Sequence, residues 1–136
     1  KFKSKSITML SNYIDTESLI RIIMDSAITV KRTLGEGFLE SVYQNALIYE
    51  LQAQGISCEK EKNLTVYYRG QIAGTYRADI VVDNRIILEI KTCEEIARAH
   101  EYQLVNYLRA TNIEDGLIIN FGSFPLGFKR KFLHKK

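Results

Sequence analysis

The sequence predicts an α/β architecture, a mixed central sheet flanked by helices, on three observations. Apolar residues recur at helical spacing over the first third of the chain, the period switches to two after Gly55, and helical spacing returns from Glu94 before two short strand-like segments close the chain. The resulting element order is ααβββαββ. A single domain over residues 1–136 is expected, because a core of this size can bury about two-thirds of the unfolded surface.

The first helix is expected from Asp15 or Thr16, either of which can cap it, with Leu19, Ile20, Ile23, Met24, Ala27 and Val30 on one face, and to end near Thr33-Leu34-Gly35. Gly35 and Gly37 punctuate. A second helix is expected from about Phe38 to Gln54, with Leu39, Val42, Ala46 and Leu47 inward and Gly55 as its stop. Residues 56–70 and 71–84 read as strands joined near Arg69-Gly70-Gln71, and 85–92 as a third. A helix is expected from about Glu94 to Ala110, broken by Thr111, Asn112 and Asp115-Gly116. Residues 116–122 then read as a short buried strand, and the segment after Pro125 and Gly127 as a last strand at the sheet edge.

The third strand, Arg85 to Thr92, carries Glu89 and Lys91 on the face opposite Ile86, Leu88 and Ile90. Its pairing with the second strand follows from the apolar pattern. With Val82 opposite Ile86, Ile80 meets Leu88 and Ala78 meets Ile90, and the loop is Asp83-Asn84-Arg85. A two-residue loop would set Ala78 against Glu89 and Asp79 against Leu88, mixing charge into both faces, a slip that burial penalises. The chosen register places Asp79 opposite Glu89. Directly opposed side chains have Cβ atoms about 5 Å apart, so two carboxylates there repel unless a cation lies between them. A magnesium ion, with oxygen ligands at roughly 2.0–2.1 Å, would satisfy this; Lys91 as a structural ion-pair partner is the other reading.

Composition narrows the function classes. No run approaches the roughly 18 apolar residues of a membrane helix and no signal peptide is visible, so a soluble, intracellular, cytoplasmic protein is expected. The two cysteines, Cys58 and Cys93, lack zinc, iron–sulfur or disulfide-framework spacing. The net charge of +3 is mild, but Lys1, Lys3 and Lys5 at one end and Lys129, Arg130, Lys131, Lys135 and Lys136 at the other suit either a polyanion or solvated tails.

Asp79 followed by Glu89-Ile90-Lys91 resembles the D…ExK pattern of the PD-(D/E)XK nuclease superfamily. Gly37 to Tyr43, GFLESVY, resembles the GxxExxY signature of one branch, and Gln103 to Tyr107, QLVNY, the QxxxY motif of RecB-like and lambda-exonuclease-like branches. Ala78 replaces the proline that names the superfamily, and Gly74 lies too far from Asp79 for a GxxD motif. The resemblance implies a restriction-endonuclease-like αβββαβ core with an extra N-terminal helix. It also implies a metal-dependent nuclease that hydrolyses DNA phosphodiesters.

By this resemblance Asp79, Glu89 and the backbone carbonyl of Ile90 would bind Mg2+ or Mn2+, and Glu40 would reach the metal directly or through water. A helix-dipole role is the alternative for Glu40. Lys91 would position the attacking water or stabilise the pentavalent phosphate. Gln103, Tyr107 and His100 share a helix face suited to nucleic acid, and Tyr43 would either pack against the sheet or touch the substrate backbone. A non-cleaving nucleic-acid-binding or accessory module, or a nuclease acting on RNA or branched DNA, are the alternatives. Phosphate contacts with strong salt dependence and little sequence preference are expected, and a homodimer is allowed, since small nucleases of the superfamily often dimerise.

Overall fold

The computed structural model describes residues 14–133. Lys1, Lys3, Lys5, Lys135 and Lys136, counted above among the basic ends, lie outside them. Helix α1 spans Thr16–Leu34 and α2 Glu40–Ala53; strands β1 (Cys58–Tyr68), β2 (Gln71–Val82) and β3 (Ile86–Lys91) follow, then α3 (Arg98–Ala110), β4 (Asp115–Asn120) and β5 (Gly127–Phe132). The sheet order is β1-β2-β3-β4-β5. All neighbours are antiparallel except β3 and β4, which run parallel across the α3 crossover. This is the mixed sheet with flanking helices, and α1 is the additional N-terminal helix.

Asp15 caps α1 by accepting the Ser18 N–H at 2.7 Å. The apolar stripe of α1 is buried as its spacing requires, Leu19, Ile23 and Ala27 completely. The inward face of α2 differs from the expectation. Leu39 precedes the helix and is 75% exposed, Val42 and Ala46 are half-buried, and Tyr43, Gln44, Leu47, Ile48 and Leu51 face inward. Residues 46–51 include apolar side chains on several faces, so spacing fixes the helix better than its rotation; contact with Phe121 decides it, the Tyr43 and Phe121 rings stacking at 4.6 Å.

Alternation on the sheet splits the core. Ile80, Val82, Ile86, Leu88 and Ile90 pack with α1 and α2 on one face, while Val81, Ile87 and Ile118 pack with Leu104 and Leu108 of α3 on the other. Burying each such aliphatic side chain contributes about 1.5–3 kcal/mol. The approach of α3 is close: a Cβ on Gly116 would meet Leu104 Cδ1 at 2.7 Å.

The β2–β3 register is the one the apolar pattern selects for Val82 opposite Ile86 and Ile80 opposite Leu88, but the expected third pair, Ala78 with Ile90, does not form: the ladder stops at Ile80, and Ala78 packs with Val81, Ile87 and the α3 side chains instead. Asp83 and Asn84 both take positive φ in the turn, a conformation that Asp and Asn tolerate better than most residues. Helix α3 begins at Arg98 rather than near Glu94. The Asn120 side chain holds both main-chain groups of Cys93, so this segment turns before the helix starts. No described helix is long and apolar enough to cross a membrane.

Candidate active site

The regular ladder between β2 and β3 covers Ile80–Val82 and Ile86–Leu88. One step further, where Asp79 and Glu89 were expected as an ordinary ladder pair, side chains replace main-chain pairing. Glu89 Oε2 accepts the Asp79 N–H at 3.1 Å and Asp79 Oδ2 accepts the Ile90 N–H at 2.7 Å. Each carboxylate therefore turns toward the other's strand. Gln44, reaching from α2, donates Nε2 to the Asp79 carbonyl at 3.0 Å.

Charge in this gap is poorly compensated. Glu89 is 5% exposed, and burial, then the negative charge of Asp79, push its carboxyl up to about 8. Asp79 is raised chiefly by burial, while its bond to Ile90 and the charge of Lys91 act the other way; Glu40 and Glu61 add further repulsion. Lys91 lies near enough to favour both anions but forms no ion pair within 4 Å among the described residues. The structural ion-pair reading of Lys91 therefore lacks its bond.

The donor chemistry fits a hard divalent cation. Asp79 Oδ1 and Glu89 Oε1 have no hydrogen-bond partner among the described residues, and both are oxygen ligands of the kind magnesium and manganese take. The Ile90 N–H points toward β2; a strand residue's carbonyl points the same way, so the Ile90 carbonyl faces the same gap. No group of three or more His, Cys, Asp or Glu side chains gathers around one point among the described residues. Glu40 is exposed at the first position of α2, close enough to repel both carboxylates and outside any such group.

The other predicted residues divide. Tyr107 is 4% exposed, its ring 4.6 Å from that of Tyr76, and its hydroxyl is pushed up to about 12 by burial, then by Glu89 and Asp79. It lies near enough to both carboxylates to feel their charge, and it is buried under Tyr76. Gln103 is exposed on α3. His100 Nδ1 accepts the Ala97 N–H at 3.1 Å, capping the helix start. Of its two alternatives Tyr43 takes the packed position: it is 1% exposed, donates to the Gly35 carbonyl at 2.6 Å and accepts from Phe38 N. Arg130 is similarly spent, its guanidinium gripping both Glu17 carboxylate oxygens at 2.7 Å and Asp115 at 3.0 Å.

Four residues at this end of the sheet were not singled out from the sequence. Gln44 left no signal in type or spacing. Asn120, 1% exposed, was visible as a polar residue in an apolar strand; it accepts from Cys93 N and Gly122 N and donates to the Cys93 carbonyl, fixing the chain just beyond Lys91. Lys31, four residues after Ala27 on the apolar stripe, is buried against the Phe121 carbonyl and Glu36. Glu61 takes a positive φ of 51° level with Asp79, between the paired positions Lys60–Ile80 and Lys62–Ala78.

A search of solved structures finds a likeness to the crystal structure of SSO0001, with a TM-score of 0.54 and 18% identity over 71% of this chain and 52% of that one. The likeness shows a shared fold, and this chain spans about half that neighbour's length. None of the curated proteins matches. The family model described as the PD-(D/E)XK nuclease superfamily matches residues 17–131, which takes in α2, the β2–β3 carboxylates, Lys91 and α3. With that match across nearly all its described elements, the chain belongs to the PD-(D/E)XK nuclease superfamily.

Proposed function

We propose that this chain is a metal-dependent nuclease that hydrolyses DNA phosphodiester bonds. One observation carries the reading: the buried carboxylate of Glu89 and the half-buried one of Asp79 each keep an oxygen free in a gap that holds no paired cation among the described residues. Asp79, Glu89 and the Ile90 carbonyl would hold Mg2+ or Mn2+, with Glu40 reaching it through water in the manner its GxxExxY motif implies. When bound, the ion supplies positive charge at the phosphate and a more acidic water.

The chain's own groups do the rest. Lys91 lies next to the carboxylates with its ammonium unpaired, so it can meet the negative charge that grows on the phosphate during in-line attack. Tyr107 keeps its proton and can donate a hydrogen bond beside the anions. Gln44 holds the Asp79 main chain, and Asn120 holds the turn that follows Lys91.

A second reading, a nucleic-acid-binding module that does not cut, is favoured by the lack of three gathered acidic or imidazole ligands among the described residues. Metal titration by calorimetry on the wild type and Asp79→Ala, with cleavage of single-stranded, double-stranded and branched DNA and of RNA under Mg2+, Mn2+ or EDTA, tests both. Metal binding lost in Asp79→Ala, with cleavage abolished by EDTA and by Lys91→Ala, is the expected result. No metal binding by the wild type would sink the nuclease reading.

A further inference from the structure

Beyond the carboxylates, the outer face of α3 carries a second chemical pattern. Arg98, Tyr102, Asn106 and Arg109 fall at intervals of four, four and three, so they form one stripe along the helix, and Lys129 and Lys131 alternate on the neighbouring strand β5. Together they line a groove of about 590 Å³ between helix and strand. Its one carboxylate, Glu101, is spent on Lys131 at 2.5 Å, and Lys129 and Arg98 are near enough to help keep that carboxyl below its ordinary range. Arg98, Arg109 and Lys129 form no ion pair within 4 Å among the described residues. The groove lining therefore sets four cationic side chains, Arg98, Arg109, Lys129 and Lys131, against the one carboxylate of Glu101.

Aromatic faces interrupt the charge. Tyr102 is 63% exposed in the middle of the stripe. Asn106 and Arg109 also rim a second groove, shared with Tyr67 of β1 and Tyr76, and Tyr67 is 66% exposed. Tyr76 in turn packs on Tyr107, which senses Glu89 and Asp79, so this surface runs back toward the carboxylate gap. From Arg98 to Arg109 the stripe measures about 16 Å at 1.5 Å per residue, long enough to follow several consecutive phosphates of one strand. Cations that follow a phosphate backbone, interleaved with exposed rings on which bases stack, are the recognition chemistry of a single strand.

We propose that the α3–β5 groove is a track for single-stranded nucleic acid, with Arg98, Arg109 and Lys129 on phosphates and Tyr102 stacked on a base. The proposal rests on nucleic acid being the substrate class. A flipped-out or unpaired strand laid along α3 would pass Tyr67 and Tyr76 and lead toward the carboxylates.

The test is fluorescence anisotropy in EDTA, so that cleavage plays no part, on the full chain with labelled 15-nucleotide oligo-dT, oligo-U and a 15-base-pair duplex. The variants are Tyr102→Ala and the pair Arg109→Ala with Lys129→Ala; all three positions are exposed, and thermal melts check that each protein folds. Tyr102→Ala should weaken single-strand binding roughly 5- to 100-fold without changing its salt dependence. The double variant should weaken it at least about tenfold and reduce the slope against log salt by roughly 1.4, about 0.7 for each lost phosphate contact. Because binding is read with no metal present, a failed nuclease reading leaves this result intact. Oligo-dT against oligo-U distinguishes DNA from RNA as the source of the strand. Single-strand affinity unchanged in both groove variants, or tighter duplex binding that ignores Tyr102, would overturn the proposal.

Discussion

Gln44 donates its side-chain N–H to the main-chain carbonyl of Asp79 at 3.0 Å, tying helix α2 to the one strand residue whose carboxylate crosses to β3. The amide is 6% exposed and enters the opening where β2 and β3 stop pairing. A backbone carbonyl there would otherwise be a buried acceptor without a donor.

Gln44→Ala should therefore act on the site without touching substrate. Loss of an outer partner of a metal ligand typically weakens binding about 10- to 100-fold, and the orphaned carbonyl should cost about 1–3 kcal/mol of stability. Calorimetric Mn2+ affinity and urea melts measure the two separately. Unchanged metal affinity would show that the bond serves packing alone.

Without metal, the Glu89 carboxyl sits at about 8 against an ordinary value of 4.5. Between those two values the folded chain holds a proton that the unfolded chain has released, so stability falls as pH rises through the window. Asp79, also raised, adds in the same direction. Glu89→Gln should then stabilise the metal-free protein at pH 8 by about 1–3 kcal/mol while weakening metal binding. Urea melts at pH 5 and pH 8 read the difference; a wild type equally stable at both would contradict the protonation.

Metal uptake near pH 7 should displace that proton. Calorimetry in buffers of different ionisation enthalpy should give a binding heat that varies with the buffer, with between zero and one proton released per ion from Glu89. A heat independent of buffer would mean that Glu89 is already ionised.

Lys91→Ala should leave metal affinity within a few-fold and reduce single-turnover cleavage by about 100- to 1,000-fold, the usual cost of losing one transition-state charge partner. If the affinity collapses along with the rate, Lys91 is instead needed to hold the carboxylates.

Asn120→Ala removes three hydrogen bonds that fix Cys93 and Gly122. At about 1 kcal/mol each, the loss should lower stability by roughly 2–4 kcal/mol and loosen the turn after Lys91. Gly122 packs so closely on Cys93 that a Cβ there would lie 2.5 Å from Cys93 N, so Gly122→Ala should be similarly damaging. Thermal melts compare the two variants; near-wild-type stability in both would dismiss the clamp.

The local pattern of the sequence determined the element order, the three-residue β2–β3 loop, and the alternation that sets Glu89 and Lys91 apart from Ile86, Leu88 and Ile90 along β3. Those features follow from periods of 2 and 3.6 and from the penalty for burying charge, which neighbouring residues already encode. Tertiary structure alone decided that α2 turns Tyr43 and Gln44 inward, that the ladder opens at Asp79, and that Asn120 and Lys31 are buried supports. Each of these depends on a partner distant in the chain, Phe121 for Tyr43, Asp79 for Gln44 and Cys93 for Asn120, and hydrogen bonding across such separations leaves no periodic trace in either segment.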